Sequence, residues 1–223
     1  GLLMLDDSSP LADIWRHQTA VEQTMHVYPL AGRRDLPAGA ETSVPLVTGR
    51  RKPAERLYSM DSEQFELGAS GPWRALRRFL TFRNDAGFGL GQPLPAGTAL
   101  IYLGAVRSAL YQKAWIGHTP AQAEIRIDLG AAAGVTGLRR SEGRTVSPAG
   151  YSEETVSIQL ANALPSAVKL EVVERPPVPL AWDVVRSSRP YEVRDRRLHY
   201  ALQLQAREES DITYTVRLTE PEL

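Results

Sequence analysis

The side chains that most often carry out acid–base or metal chemistry are scattered along this chain. Its four histidines are His17, His26, His118 and His199. None of them stands at metal-ligand spacing from another, and the adjacent carboxylates Glu153-Glu154 and Glu208-Glu209 would point to opposite faces of a strand or into solvent from a turn. The chain has no cysteine, which excludes disulfides, thiolate catalysis and cysteine-type zinc sites. We therefore predict no catalytic residue, no metal site and no cofactor.

His118 is the histidine whose neighbours suggest a role in binding. It lies between Gly117 and Thr119-Pro120, in a loop that follows Trp115. A histidine in a constrained loop can serve as a ligand or an acid–base group, but a partly buried loop histidine more often fastens a turn to neighbouring backbone groups. His118 is therefore a candidate binding residue without an assigned reaction.

The glycines at 87, 89 and 91 resemble a loop whose bare backbone approaches a phosphate. Such a loop must open a helix, whose N-terminal amides and dipole face the anion. Here Pro93 and Pro95 follow at once, and a strand comes next. The pattern favours a tight turn in which the glycines supply positive φ angles.

Four aromatic residues are candidates for a platform that stacks on a sugar ring: Trp73, Trp115, Tyr151 and Trp182. A sugar site needs an exposed ring flanked by carboxylates or amides. Exposure in a structure therefore discriminates a platform from a core residue. We expect Trp182 to be buried in the C-terminal half.

The fold prediction rests on alternating apolar residues, and it is all-β with an antiparallel β-sandwich. Phe79 to Leu103 is an apolar strand, a glycine-rich crossing and a second apolar strand, and we place it in the middle of the sandwich. Ser9-Pro10 begins the one short helix that we predict, and it ends near Val21.

The second half of the chain has the clearest strand pattern. Val156, Ile158 and Leu160 alternate with polar residues, and the same period recurs from Val168, Leu198 and Ile212. Short strands at this spacing predict an immunoglobulin-like or fibronectin-like sandwich. The Gly-Ala-rich segment 130–137 is either a boundary between halves or a corner of one sheet. We predict a β-rich half at residues 1–130 and an immunoglobulin-like half at residues 131–223.

Composition and charge limit the classes of partner. The chain has 223 residues, 43% of them hydrophobic and 23% charged, as in ordinary globular proteins. Its 26 basic and 26 acidic residues cancel, so no overall field attracts nucleic acid or an anionic membrane. No run approaches the roughly 20 apolar residues of a membrane span. We predict no nucleic acid partner and no membrane span.

Several short motifs, taken in order, resemble a bacterial family. A strand ending at Asn84 precedes Gly89-Leu90-Gly91, and Pro93-Leu94-Pro95-Ala96-Gly97 leads into a strand with Tyr102. Further matches are His118-Thr119-Pro120, Ile158 to Asn162, Trp182 with Val184, and Tyr214 to Val216. This order resembles the domain-of-unknown-function family 4139, which is similar to the C-terminal part of proteins called mucoidy inhibitor A.

The resemblance implies a β-rich bacterial domain without an assigned catalytic site. It also implies structural roles for the motif residues Asn84, Gly89, Gly91, Pro95 and Gly97. The larger proteins of the family have an N-terminal half with a coiled coil, to which this sequence has no counterpart.

Two functions from different classes fit these patterns. The first is a non-catalytic module that binds another protein or its own copies, at the bacterial cell envelope or outside the cell. Open strand edges and zero net charge predict at least a weak homodimer, with Val184-Val185 and the strand Ile212 to Leu218 as candidate edges. The alternative is a carbohydrate-binding or glycan-hydrolysing protein.

Overall fold

The computed structural model describes residues 38–39, 41, 43, 45, 47, 54–65, 72–103, 109–176 and 181–219. The predicted helix between Ser9 and Val21 lies outside them. The strands are β1 (Glu55–Asp61), β2 (Arg74–Arg83), β3 (Gly97–Leu103), β4 (Ala109–Ile116), β5 (Glu124–Val146), β6 (Tyr151–Asn162), β7 (Val168–Glu174), β8 (Ala181–Ser187), β9 (Glu192–Arg194), β10 (Arg197–Leu204) and β11 (Glu209–Thr219). Helical structure in this part of the chain is limited to two three-residue 3₁₀ turns, Ser62–Gln64 and Ala86–Phe88. The all-β prediction is confirmed.

Within the described residues, nine strands form one sheet in the order β8-β11-β6-β5-β2-β1-β7-β10-β9, and β3 and β4 form a separate hairpin. β1 and β7 are parallel, and the other neighbouring pairs are antiparallel. The sheet is therefore mixed, although the antiparallel pairs predominate.

Strands near the two ends of the nine-stranded order contact each other across the core. The rings of Tyr200 in β10 and Tyr214 in β11 have centroids 6.3 Å apart, although five strands separate β10 from β11 in the sheet order. The sheet therefore curls until its inner faces meet around one hydrophobic core, which includes Met60, Leu76, Ile158, Leu160, Leu170, Val172, Leu198, Ile212 and Val216. Because the hydrogen bonding is continuous from β8 to β9, a sandwich of two separate sheets stays a prediction.

β5 connects the two wings of the curled sheet. One wing consists of β8, β11 and β6, and the other consists of β2, β1, β7, β10 and β9. Its first part pairs with β2, and its second part pairs with β6. The Gly-Ala-rich segment lies in its middle, where a Cβ on Gly137 would come within 2.9 Å of the Met60 sulfur. Position 137 needs glycine because a larger residue would collide with the Met60 side chain. Residue 130, the predicted boundary, lies inside the continuous strand β5. The division into halves at this residue stays a prediction, although β1 and β2 share a sheet with β7.

Two expectations about strand positions are wrong. β2 is the fifth of nine strands, as expected for a central strand, but β3 lies in the separate hairpin, where Leu100 and Tyr102 are exposed. β11 is not an edge, because β6 and β8 pair with its two sides. The other candidate edge, Val184-Val185, is confirmed within the described residues, because β8 is the terminal strand on this side of the sheet. Val185 is the extra residue at a β-bulge.

Trp182, which is expected to be buried, packs against the hydrophobic core but is only half-buried. Its strand, β8, has a neighbour on one side within the described residues, which leaves part of the indole in solvent. None of the described helices is long and apolar enough to cross a membrane.

Candidate functional site

The hairpin β3–β4 is inserted between β2 and β5 and docks on the main sheet. The Gln112 side-chain amide donates a hydrogen bond of 3.0 Å to the Asp128 carbonyl oxygen in β5. The Arg78 guanidinium in β2 donates a hydrogen bond to the Tyr111 hydroxyl. These two contacts hold β4 against the main sheet.

One face of the hairpin is apolar and exposed. Thr98 pairs with Trp115, and Leu100 pairs with Lys113, so alternate residues of both strands share this face. Its large apolar side chains are Leu100 (49% exposed), Tyr102 (38%) and Trp115 (70%). Tyr111 does not belong to this set, because it stands at the register shift between Ile101 and Tyr102 and its hydroxyl contacts Arg78 of the main sheet. We call this set the hairpin face. Its described residues include no carboxylate and no carboxamide.

Asn84 holds the base of the hairpin together, although its side chain is fully buried. Its amide nitrogen donates to the carbonyl oxygens of Gln92 (2.9 Å), Thr119 (3.2 Å) and Pro120 (2.9 Å). Its side-chain oxygen accepts a hydrogen bond of 3.0 Å from the Gly91 backbone. Asn84 therefore ties the start of the hairpin to its end.

The glycine-rich crossing is a tight turn whose backbone amides form hydrogen bonds within the loop. Gly89 and Gly91 have φ angles of 71° and 87°, as the sequence predicts. The same expectation is wrong for Gly87, which lies in the 3₁₀ turn Ala86–Phe88 and has no positive φ. The amides of Phe88, Gly89 and Leu90 donate to oxygens of Asp85 and Ala86 within the loop. These amides are already satisfied, so they are not available to an anion.

The structure places Trp115 and His118 at the base of the hairpin, where the motif residues Asn84, Gly91 and Gly97 also lie. It places Trp73 and Tyr151 elsewhere. His118 is exposed, and the buried neighbour Thr119 fastens this turn by pairing with Leu94. Pro95 is exposed, and Gly97 begins β3. Tyr151 begins β6, where the Arg217 guanidinium lies 4.4 Å from its ring centroid.

Trp73 precedes β2, at the far end of this strand from Asn84, and its ring is exposed. It lines a cleft with residues of β6 and β11. No group of three or more His, Asp or Glu side chains in the described ranges is placed to hold a metal ion.

Sequence reasoning missed a buried charged cluster of Arg139, Glu174 and Tyr214. The Arg139 Nε lies 3.0 and 2.9 Å from the two carboxylate oxygens of Glu174, and the Tyr214 hydroxyl donates a hydrogen bond of 2.6 Å to Glu174 Oε2. Arg139 Nη2 forms an ion pair of 2.8 Å with the same oxygen. A charged residue at the buried phase of β5 and of β7 could have identified this cluster.

Burial sets the pKa values in this cluster. It raises the pKa of the Glu174 carboxyl, and the attraction of Arg139 offsets only part of this rise. It also raises the pKa of the Tyr214 hydroxyl, an effect that the Glu174 charge increases. For Arg139, burial lowers the pKa, but attraction to Glu174 outweighs this and the net direction is upward. These contacts join β5, β7 and β11. Because Glu174 is fully buried, the cluster is closed to substrates.

Comparison of the sequence with models of known protein families and with curated proteins found no match.

Proposed function

We propose that this chain is a non-catalytic protein-interaction module that associates with a second copy of itself through the hairpin face. The observation that carries this proposal is the exposure of Leu100, Tyr102 and Trp115 on one face of two strands. Contiguous exposed apolar patches mark interaction sites, and Trp and Tyr are enriched among the residues that dominate binding energy. The aliphatic stem of Lys113 extends the same surface.

A second copy is the partner that the charge of the chain favours. The 26 basic and 26 acidic residues give a net charge of zero, so two copies do not repel each other at long range. Edge-to-edge pairing of the main sheet is less favourable. β8 has a bulge at Val185, and β9 has three residues, two of them charged. Bulges, short strands and charges are features that protect sheet edges.

The proposal includes the family that the motifs resemble and the location that this family implies, at the bacterial cell envelope or outside the cell. It also includes a sandwich with an immunoglobulin-like second half. Support for the family comes from Asn84, Gly91 and Thr119, which belong to three separate motifs and meet through the Asn84 side chain. Motifs that contact one another form one structural unit. Such a unit supports the family resemblance more strongly than the same residues would if they lay far apart.

Light scattering across a range of protein concentrations tests the proposal. The wild-type mass is expected to rise from monomer toward dimer, and Trp115→Ser is expected to remain a monomer. Val185→Ser on the β8 edge is the matched control, because it also removes an exposed apolar side chain. A monomer mass for the wild type at every concentration contradicts the proposal. So does a dimer that Trp115→Ser leaves intact.

A further inference from the structure

Trp73 lies in surroundings that differ from those of the hairpin face. Its side chain is 44% exposed, and it directly precedes β2. The ten residues of β2 span about 33 Å, so Trp73 and the base of the hairpin are at separate ends of the molecule's central strand. A ligand bound at one end does not contact the other.

A cleft of about 200 Å³ lies beside the Trp73 indole, lined also by Gln159, Leu160, Glu209, Ser210 and Asp211. Gln159 and Asp211 are direct partners in the pairing of β6 with β11, so their side chains share one face. Glu209 is two residues before Asp211 and lies on the same face. A carboxamide and two carboxylates therefore stand next to an exposed tryptophan.

The polar side chains of this cleft are available to a ligand. Within the described residues, the side chains of Gln159, Glu209 and Asp211 make no hydrogen bond or ion pair. The wall of the cleft is held by Arg189, whose Nη2 donates a hydrogen bond of 2.7 Å to the Ser210 hydroxyl. Its Nε donates to the Asp211 carbonyl oxygen at 3.4 Å.

We propose that this cleft binds one ring of a neutral saccharide. A pyranose has an apolar C–H face, which packs on an indole, and hydroxyl groups at its edge, which donate to carboxylates and exchange hydrogen bonds with an amide. The volume suits one ring, because pockets for larger ligands begin at about 300 Å³. The two carboxylates repel an anionic sugar, and the guanidinium of Arg189 already bonds to Ser210 and to the Asp211 carbonyl oxygen. A neutral saccharide is therefore expected to bind more tightly than a uronic acid.

A ligand-observed NMR titration tests this inference with cellotetraose and chitotetraose as neutral probes and tetragalacturonate as the anionic probe. At least one neutral probe is expected to bind, and Trp73→Ala is expected to weaken it by at least about tenfold, because a truncated tryptophan anchor removes most of the contact. Trp115→Ala is the control, since that ring is more exposed but has no carboxylate or amide on its face. It is expected to bind as the wild type does.

A second variant tests the charge argument. Asp211→Asn keeps the shape of the cleft and removes one carboxylate, so the ratio of neutral to anionic affinity is expected to fall. The inference is overturned if neither neutral probe binds, if Trp73→Ala binds as tightly as the wild type, or if tetragalacturonate is preferred. Far-ultraviolet circular dichroism of each variant separates loss of binding from loss of fold. The result of the saccharide titration does not depend on whether the chain forms a dimer through the hairpin face, because light scattering measures that association separately.

Discussion

Glu174 is a fully buried carboxylate at a point where three strands converge. Removing Arg139 and Glu174 from water costs desolvation energy, and the hydrogen-bonded pairing offsets this cost only because both partners are present. Tyr214 adds a hydrogen bond from β11. The cluster therefore specifies how the two wings meet more than it stabilises the fold.

We expect Glu174→Ala to lower the free energy of unfolding by about 3–5 kcal/mol, because it leaves the Arg139 charge buried without a partner. Glu153→Ala is the control. It breaks the Arg217–Glu153 pair, whose side chains are 43% and 32% exposed, and is expected to cost less than about 1 kcal/mol. Chemical denaturation of both variants measures the difference. Equal losses in the free energy of unfolding for the two variants would show that an unpaired charge in the buried cluster costs no more than one at the surface.

Tyr200 predicts a dependence of stability on alkaline pH. Burial raises its pKa to about 12, although the Ser187 hydroxyl at 3.4 Å opposes this rise. Since the folded pKa exceeds the unfolded value of about 10, the stabilising contribution is complete below pH 10 and is lost as the pH rises through about 12. The wild-type denaturation midpoint is expected to fall more steeply over this interval than that of Tyr200→Phe. Parallel pH profiles for the two proteins would refute this role.

At the scale of elements, two buried asparagines fasten loops that leave the ends of strands. Asn84 follows β2 and binds the base of the hairpin. Asn162 ends β6, and its amide donates to the carbonyl oxygens of Ser166 (2.9 Å) and Gln205 (2.7 Å). An asparagine suits this position because its side chain both donates and accepts.

Asn84→Ala is expected to destabilise the fold by about 1–3 kcal/mol, because it leaves buried backbone groups without their partner. Amide exchange at Gly91 should accelerate, since its hydrogen bond is lost. Asn162→Ala is the matched control, because it removes a similar set of bonds from another loop. Hydrogen exchange followed by NMR distinguishes them. If Asn162→Ala accelerates exchange at Gly91 to the same extent, the effect is global and Asn84 does not act locally.

Strand positions with a regular alternation could be predicted from the sequence. Val156, Ile158 and Leu160 are buried in β6 as expected, and so are Leu198, Tyr200 and Leu204 in β10. The length of β5 could not be predicted, because its glycines resemble a linker. Gly134 has a φ of 85°, and Gly137 packs against Met60 and Leu76. Only the neighbouring strands show why small residues are needed there.

The candidate sites were partly visible in the sequence. Trp73, Trp115 and His118 were singled out because of their residue types, and the structure places all three at the surface. The partners of Trp73 could not be identified, since Gln159 and Asp211 approach it through the pairing of β6 with β11. Arg139 and Glu174 were missed for the same reason, because their contact crosses from one wing to the other.

At the scale of the whole molecule, the sheet order depends on long-range pairing that no local pattern encodes. Ser59 in β1 and Glu171 in β7 are 112 positions apart, yet their side chains form a hydrogen bond of 2.9 Å. The alternation within each strand fixes which side chains face inward. It does not fix which strands are neighbours.

The order of the strands in the sheet is related to their order along the chain. Among the described strands of the main sheet, the four that come first along the chain, β1, β2, β5 and β6, are neighbours, in the order β6-β5-β2-β1. The later strands extend this unit on both sides, with β11 and β8 beyond β6 and with β7, β10 and β9 beyond β1. The sheet is thus laid out from its centre outward. Within the described residues, the outer sides of β6 and β1 in this four-stranded unit are the two edges that the later strands β11 and β7 cover.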